Sequence, residues 1–416
     1  MKTNLSLEVA AALLAGASSA NAGIMIPAGD WTLDIGGIVN TYYTSTRTSG
    51  EGVGTGYGSL IGGNGSNDAL AGGSEDKTQS NITTGLLPNY LSVSGKTRQN
   101  DLDVGFTISI NPGSSTTQAG IQNGSTKGRT VNQENRQAFV TFGDKSWGSI
   151  KIGKDLGIFA SDAILNDMTL LGVGSGAGGL AGNTTTLGRI GTGFVYADWK
   201  SQIAYSSPNW NGFSFTAGVT QAFNAINVLA GATSTGRGGS EPAFEAKASY
   251  EWAGDVGGKV WVSGISQKID AISTGVTGVT TDDRANAFDI GATVNLAGFG
   301  LTGYYYDGEG IGQTVQFNGG YDASGNARDS QGYYVQGTYT LPGVGTKLGV
   351  SYGESETDAN SGDTIGDIED SMWTVGAYHP LTKHLNLVAE YSHVKVENGS
   401  LDGKGKTISL GAILFF

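Results

Sequence analysis

From Trp31 to Phe416 the chain keeps one beat, with apolar side chains at every second position of short runs and almost no helical period. Leu102, Val104, Phe106, Ile108 and Ile110 alternate with Asp103, Gly105, Thr107 and Ser109. Phe288, Ile290, Ala292 and Val294 repeat the pattern, as do Trp373, Val375 and Ala377. The runs are joined by connections that are short and long in turn. RQND, GDKSW, SPNWNG, AGDVG, AGFG, PGVG and HPLTKH are the tight turns. The count is 16 strands, seven tight turns and eight longer loops. Strict alternation puts every tight turn at one end of the sheet and every long loop at the other. An even number of antiparallel strands also returns both termini to the tight-turn end. There the first and last strands can pair, and closure removes the edges of so large a sheet.

The two parities differ in kind. One carries Phe, Leu, Ile, Val, Ala, Tyr, Trp and Gly. The other carries Asp34, Lys96, Asp103, Glu245, Lys247, Glu251, Lys259, Asp289, Lys347 and Glu390. Sixteen strands enclose too wide a space for side chains to fill. The charged parity therefore lines a wet lumen and the apolar parity faces hydrocarbon, with Tyr250, Trp252, Tyr305 and Tyr391 as interfacial aromatics. The expected fold is all-β, a 16-stranded antiparallel transmembrane β-barrel, in which backbone pairing satisfies every amide.

Other features agree. Lys2, the apolar run Val9 to Ala17 and the small-x-small triplet Ala20-Asn21-Ala22 read as an export signal over residues 1–22, leaving one barrel domain over 23–416. No other stretch nears the roughly 18 apolar residues of a membrane helix. No Cys is present among 416 residues, which removes thiolate metal sites and Cys nucleophiles. The net charge of −13 and the lack of a Lys/Arg patch argue against nucleic acid as a partner.

One connection stands out. After ENRQAFVTF and GSIKIGKD, more than about forty residues rich in Gly, Ala and Thr precede the next strand, near Ser201. A structureless loop of that length needs a function. It is third of the eight, and it is expected to fold into the lumen and narrow it.

Three stretches carry a family resemblance over nearly the whole mature chain: RQAFVTFGDKSWGSIKIGKD before the long loop, IAYSSPNWNGFSF after it, and a last strand ending ILFF. The chain resembles the general diffusion porins of Gram-negative outer membranes. The resemblance implies a homotrimer in outer-membrane lipid, whose third loop sets acidic groups against basic groups on the wall. It also implies that Phe416, with Leu414, Leu410 and Ile408 at alternate positions behind it, is the strand read by the outer-membrane assembly machinery. The Pro-Glu-Phe motif of some members is absent, and GVGSGAGGLAGN (residues 172–183) stands in its place.

Candidate constriction residues follow. On the loop side these are Asp155, Asp162 and Asp167; on the wall side, Lys96, Arg98 and Lys151. Arg136 joins the wall set, although its parity, shared with Ala138 and Phe142, suits the rim. The plain alternative for each is a solvated charge. Opposed charges across a narrow aqueous gap would orient dipolar solutes and hinder apolar ones. The acidic balance predicts a weak cation preference. His379, His384 and His393 lie on a turn and a strand that aim them apart, so neither a metal site nor a Ser-His-Asp enzyme is expected. The Asp322–Asp329 loop lacks the closing Glu of a Ca²⁺ site, and the GxG patterns near Gly54 and Gly174 lack their strand and helix, so no cofactor is expected. The expected function is passive diffusion of small hydrophilic solutes. A substrate-selective channel for anions, phosphate or sugars is the first alternative, and a barrel that only displays adhesive loops is the second.

Overall fold

The computed structural model describes residues 23–50, 60–61, 77–114, 133–177, 185–226, 231–363, 366–399 and 401–416. The export signal over 1–22 and residues 178–183 of the Gly-rich run lie outside them. The strands are β1 (Ile24–Ala28), β2 (Trp31–Gly50), β3 (Lys77–Thr83), β4 (Tyr90–Gln99), β5 (Leu102–Pro112), β6 (Gln133–Glu134), β7 (Ala138–Asp144), β8 (Gly148–Leu156), β9 (Trp199–Ser206) and β10 (Phe213–Thr220). They continue as β11 (Ala243–Trp252), β12 (Val256–Ser273), β13 (Thr280–Leu296), β14 (Phe299–Glu309), β15 (Asp329–Thr340), β16 (Lys347–Thr357), β17 (Ile368–Pro380), β18 (Leu385–Asn398) and β19 (Leu401–Phe415). Among the described residues one short α-helix, α1 (Ser161–Asn166), interrupts the pattern.

Three pairs of these strands are pieces of single staves, so the wall has 16. β3 and β4 both pair with β2, and β6 and β7 both pair with β5. β1 pairs with Trp31–Ile35 of β2, and β19 with Ile38–Gly50 of the same strand, so β1 extends β19 in line. The β19–β2 pairing closes the barrel. The chain end is held there, with Phe416 N donating to Gly37 O at 3.0 Å and Gly37 N to Phe416 O at 2.8 Å.

The wall is inside out relative to a soluble protein. Leu301 is 65% exposed and Val350 57%, while Glu245, Asp289 and Glu390 of the opposite parity are buried. Exposed apolar rows of this extent are stable only against lipid. Leu414, Leu410 and Ile408 all lie on the exposed parity of β19.

The strands rise further on the loop side than alternation predicts. The first loop, expected over about Arg47 to Pro88, contains the end of β2 and all of β3. β12 and β13 meet across a six-residue connection, 274–279, and β18 ends at Asn398 just before β19 starts at Leu401. Above the bilayer the outward parity meets water and turns polar, as at Lys268, Lys395 and Lys404, so the lipid-facing half of the period-2 signal disappears while the ladder continues.

Candidate channel constriction

The break between β3 and β4 is the first device that builds the site. Residues 84–89 leave the ladder, and Asn40 holds them: its Nδ2 donates to Leu87 O at 3.0 Å and its Oδ1 accepts from Gly85 N at 2.8 Å. Leu86 is thereby presented to the segment that follows β8, and its N–H donates to Gly172 O at 2.8 Å.

That segment, described over residues 157–177 and 185–198, leaves and returns at one point, where Gly157 N donates to Asp198 O at 2.7 Å. Between these residues its backbone is fastened by side chains of the buried wall parity. Glu245 of β11 accepts from Ile158 N at 2.7 Å and Phe159 N at 2.8 Å, while its other oxygen accepts from Lys200 Nζ at 2.6 Å and Thr220 Oγ1 at 2.8 Å. Ser263 of β12 accepts from Ala160 N at 3.2 Å. Tyr334 of β15 donates to Ala163 O at 2.9 Å, and Gln336 Oε1 accepts from Met168 N at 2.9 Å. Tyr42 of β2 donates to Leu171 O at 2.7 Å. Glu390 of β18 accepts from Val173 N at 2.7 Å, Gly174 N at 2.9 Å and the Tyr378 hydroxyl at 2.6 Å. The return path is tied by Arg189, which donates to Met372 O at 2.8 Å and to Ser351 Oγ, and by Gly193 N, which donates to Ser355 Oγ at 2.8 Å. A buried backbone N–H left unpaired costs about 1–3 kcal/mol, so each wall carboxylate offsets a real penalty.

The Gly-rich run has a steric reason. A Cβ on Gly172 would lie 2.1 Å from Glu390 Oε1, and Gly174 has φ 58° with a Cβ position 2.6 Å from the Gly188 Cα. Side chains here would hold the segment off its carboxylate clamp.

The predicted site residues fall into three groups. Asp162, in the first turn of α1, lies between Lys259 Nζ at 2.7 Å and Lys247 Nζ at 3.1 Å. Burial works against its charge, but the two ammonium groups outweigh this and hold its pKa at about 2. Asp167 is buried and turned back into its own segment, accepting from Thr169 N at 2.9 Å and Thr169 Oγ1 at 2.5 Å, with Arg189 Nε 3.9 Å away. Burial raises its pKa, against the pull of Arg189 and Thr169. Asp155 requires a correction, because it stands on β8 and not on the loop. The ladder runs on to Leu156, which leaves Asp155 on the wall with Lys151 as its ion-pair partner and Gln137 Nε2 at 3.0 Å.

On the wall side, Lys96 is exposed on β4 and Lys151 part-exposed on β8. Arg98 sits beside the β4–β5 turn, in ion pairs with Asp103 and Asp144 at 2.8 Å each, away from the clamped segment. Arg136 is buried: it pairs with Glu134 at 2.7 Å, lies over the Trp199 ring at 5.7 Å, and lines a cavity of about 190 Å³ with Leu86, Leu156, Leu187 and Tyr196.

Lys247, Lys259, Glu245 and Glu390 were legible as inward charges but not as partners of the segment. Arg189 carried no signal beyond being a lone cation in a Gly- and Thr-rich run. Among the described residues no group of three or more potential metal ligands occurs.

Comparisons with known proteins agree with this architecture. The family profile described as Gram-negative porin matches residues 9–399. The anion-selective porin from Comamonas acidovorans superposes with TM-score 0.59 at 15% identity, covering 93% of this chain and 100% of that one. The outer membrane channel DcaP of Acinetobacter baumannii gives TM-score 0.63 at 14% identity over 95% and 100%. The trimer form of OmpT from Vibrio cholerae gives 0.51 at 14% over 92% and 99%. No curated protein sequence matches the chain. Such low identities speak for the fold alone, whereas the profile spans nearly the whole sequence. The chain belongs to the Gram-negative porin family and is an outer-membrane β-barrel diffusion channel.

Proposed function

We propose that this channel is passive, that residues 157–198 narrow its bore, and that the narrowing favours anions. The carrying observation is the series of hydrogen bonds from the segment's backbone to buried-parity side chains on β2, β11, β12, β15 and β18. A segment belted along that wall leaves its free passage beside the wall that bears Lys96 and Lys151.

Asp155 and Asp162 expose only 3% and 4% of their side chains, while Lys151 and Lys247 expose 27% each and Lys259 17%. Beside the segment, a passing ion meets the ammonium groups of Lys151 and Lys247 before the carboxylates of Asp155 and Asp162, while Lys259 also pairs with the exposed Glu251 at 3.3 Å. This reading replaces the cation preference expected from the net charge, because total charge counts groups that no solute in the bore approaches. In it, Asp155 and Asp162 hold the lysines in place, and Asp167 with Arg189 stiffens the segment. Lys96 and Lys151 form the wall side, Arg98 serves the tight-turn mouth and Arg136 the rim.

A homotrimer is part of the proposal, supported by the trimer form recorded for OmpT. So are removal of residues 1–22 on export and recognition of the Ile408–Phe416 strand by the assembly machinery. The chain carries out no catalysis in this reading.

The test is the reversal potential of the full chain in a KCl gradient across a planar bilayer. Anion preference is expected, and cation preference would overturn the electrostatic part. Absence of any conductance would favour a barrel that only displays its loops.

A further inference from the structure

One patch of the inward wall is apolar where the rows below it are polar. Near the long-loop ends of β17 and β18 the inward side chains include Ile368, Met372, Val394 and Val396, all buried. Register sets Met372 beside Val394, and Val394 beside Gly405 of β19. The next two rows toward the tight turns carry Thr374, Ser392 and Thr407, then Gly376, Glu390 and Ser409. The lumen side of a wide barrel is normally polar because it meets water, so this patch is built to be covered. Its cover comes from the first long connection. There Leu60 and Ile61 stand in the sequence between GVGTGYGS and GGNGSN. They are 2% and 0% exposed and form one apolar cluster with Ile368, Met372, Val394 and Val396.

The pair is seated by its backbone as well as its side chains. Gly405 leaves the gap it occupies: a Cβ there would lie 2.1 Å from Ile61 O and 2.5 Å from Ile61 Cγ2. The pair also touches both legs of the segment that follows β8. On the outgoing leg, Ser175 Oγ donates to Leu60 O at 2.6 Å. On the return leg, Leu187 packs against the same cluster, and a Cβ on Gly191 would lie 3.1 Å from Leu60 Cδ1. The two legs are bonded to each other, Ser175 N to Gly188 O at 2.9 Å and Leu187 N to Ala177 O at 3.0 Å, so they move as one body. Met372 completes the junction, since its carbonyl accepts from Arg189 Nη1 at 2.8 Å. Apolar burial alone is non-directional. The Ser175 hydrogen bond and the Gly405 gap give this contact a fixed register.

We propose, on the reading that residues 157–198 narrow the bore, that Leu60 and Ile61 are positioning residues for that constriction. They form a two-residue anchor through which the first long connection holds both legs of the segment at the β17–β19 wall. Glu390 grips Val173 and Gly174 two rows nearer the tight turns. The anchor adds a second point of attachment on the long-loop side, so the paired legs are fixed at two heights and cannot pivot about the carboxylate. The stretch 172–177 needs such help, because its glycines bring backbone freedom and no side chains of their own to pack. Loss of the anchor exposes the apolar patch to water and frees Ser175, Leu187 and Gly191, which widens the bore and lets its width fluctuate.

The experiment is single-channel recording of the full chain in planar bilayers, joined to thiol labelling of single-cysteine variants. L60S/I61S should give a larger conductance step and more open-channel noise, while the isomeric swap L60I/I61L keeps the original step because it keeps apolar volume. A lower unfolding temperature in L60S/I61S with an unchanged step would reduce the pair to packing and overturn the proposal. An enlarged step in L60I/I61L would overturn it too. The chain has no cysteine, so Ile61→Cys is a clean probe that needs no change in conductance. It should react with a membrane-impermeant maleimide about tenfold more slowly, or slower still, than Val276→Cys, because a buried site must open locally before it reacts. Val276 is 61% exposed in the connection between β12 and β13. Equal labelling rates would contradict the anchor. Replacing residues 161–193 by a short link separates the two readings. An unchanged step there would sink the constriction itself, whereas a larger step there beside an unchanged step in L60S/I61S would overturn the anchor alone.

Discussion

Glu390 lends one carboxylate oxygen to two successive backbone N–H groups, Val173 and Gly174, and the other to Tyr378. Replacing it with Leu orphans both donors, at about 1–3 kcal/mol each. Glu390→Leu is therefore expected to lower the midpoint of thermal unfolding and raise open-channel noise; a quiet channel of unchanged stability would contradict the clamp. Gly172→Ala should give the same noise by a different route, since its methyl would enter the space of the Glu390 carboxylate. Asp162 tests the electrostatics. Asp162→Asn removes the carboxylate between Lys247 and Lys259, so the reversal potential should move further toward anion preference. The pH dependence has a definite sign. A pKa of about 2 lies below the ordinary Asp value of roughly 3.9, so the contribution of Asp162 is complete above the latter and fades as pH falls through 2. The Asp162 contribution to ion selectivity should accordingly hold from pH 8 down to about pH 4.

At the scale of elements, the short helix α1 and the turn after it matter more than their length suggests. Met168 packs where β15 and β16 converge, and a Cβ on Gly349 of β16 would lie 2.9 Å from its sulfur. The chain has no cysteine, so Met168→Cys with Gly349→Cys is a clean pair. A short bifunctional thiol reagent should join the two cysteines in the folded protein without abolishing conductance; two thiols that no such reagent joins would place the segment elsewhere. Elements were also where sequence reading succeeded and failed for identifiable reasons. Leu102 to Ile110 announces a strand because lipid on one face and water on the other force opposite chemistries on neighbouring residues. Lys77–Thr83 does not, because water lies on both sides of it. The clamp was invisible for another reason. Glu390 and Gly174 are 216 positions apart, and nothing local to either residue records the other.

At the scale of the molecule, closure does two jobs. It removes the edges of a 16-strand sheet, and it brings β1 and β19 into line, with Phe416 held at Gly37. The apolar outer band and the bore then become two separate surfaces of one wall. Strand number and turn order were legible in the alternation of residues from Trp31 to Phe416, and so was the unusual length of the third connection. Its course along the wall was not, because that depends on which side chains it covers. The most direct test of the whole account is the single-channel conductance step of the intact chain beside a variant in which residues 161–193 are replaced by a short Gly-Ser link. Discrete steps are expected for the intact chain and a larger step, with a raised solute size limit, for the variant. Equal steps from the two proteins would contradict a constriction formed by this segment.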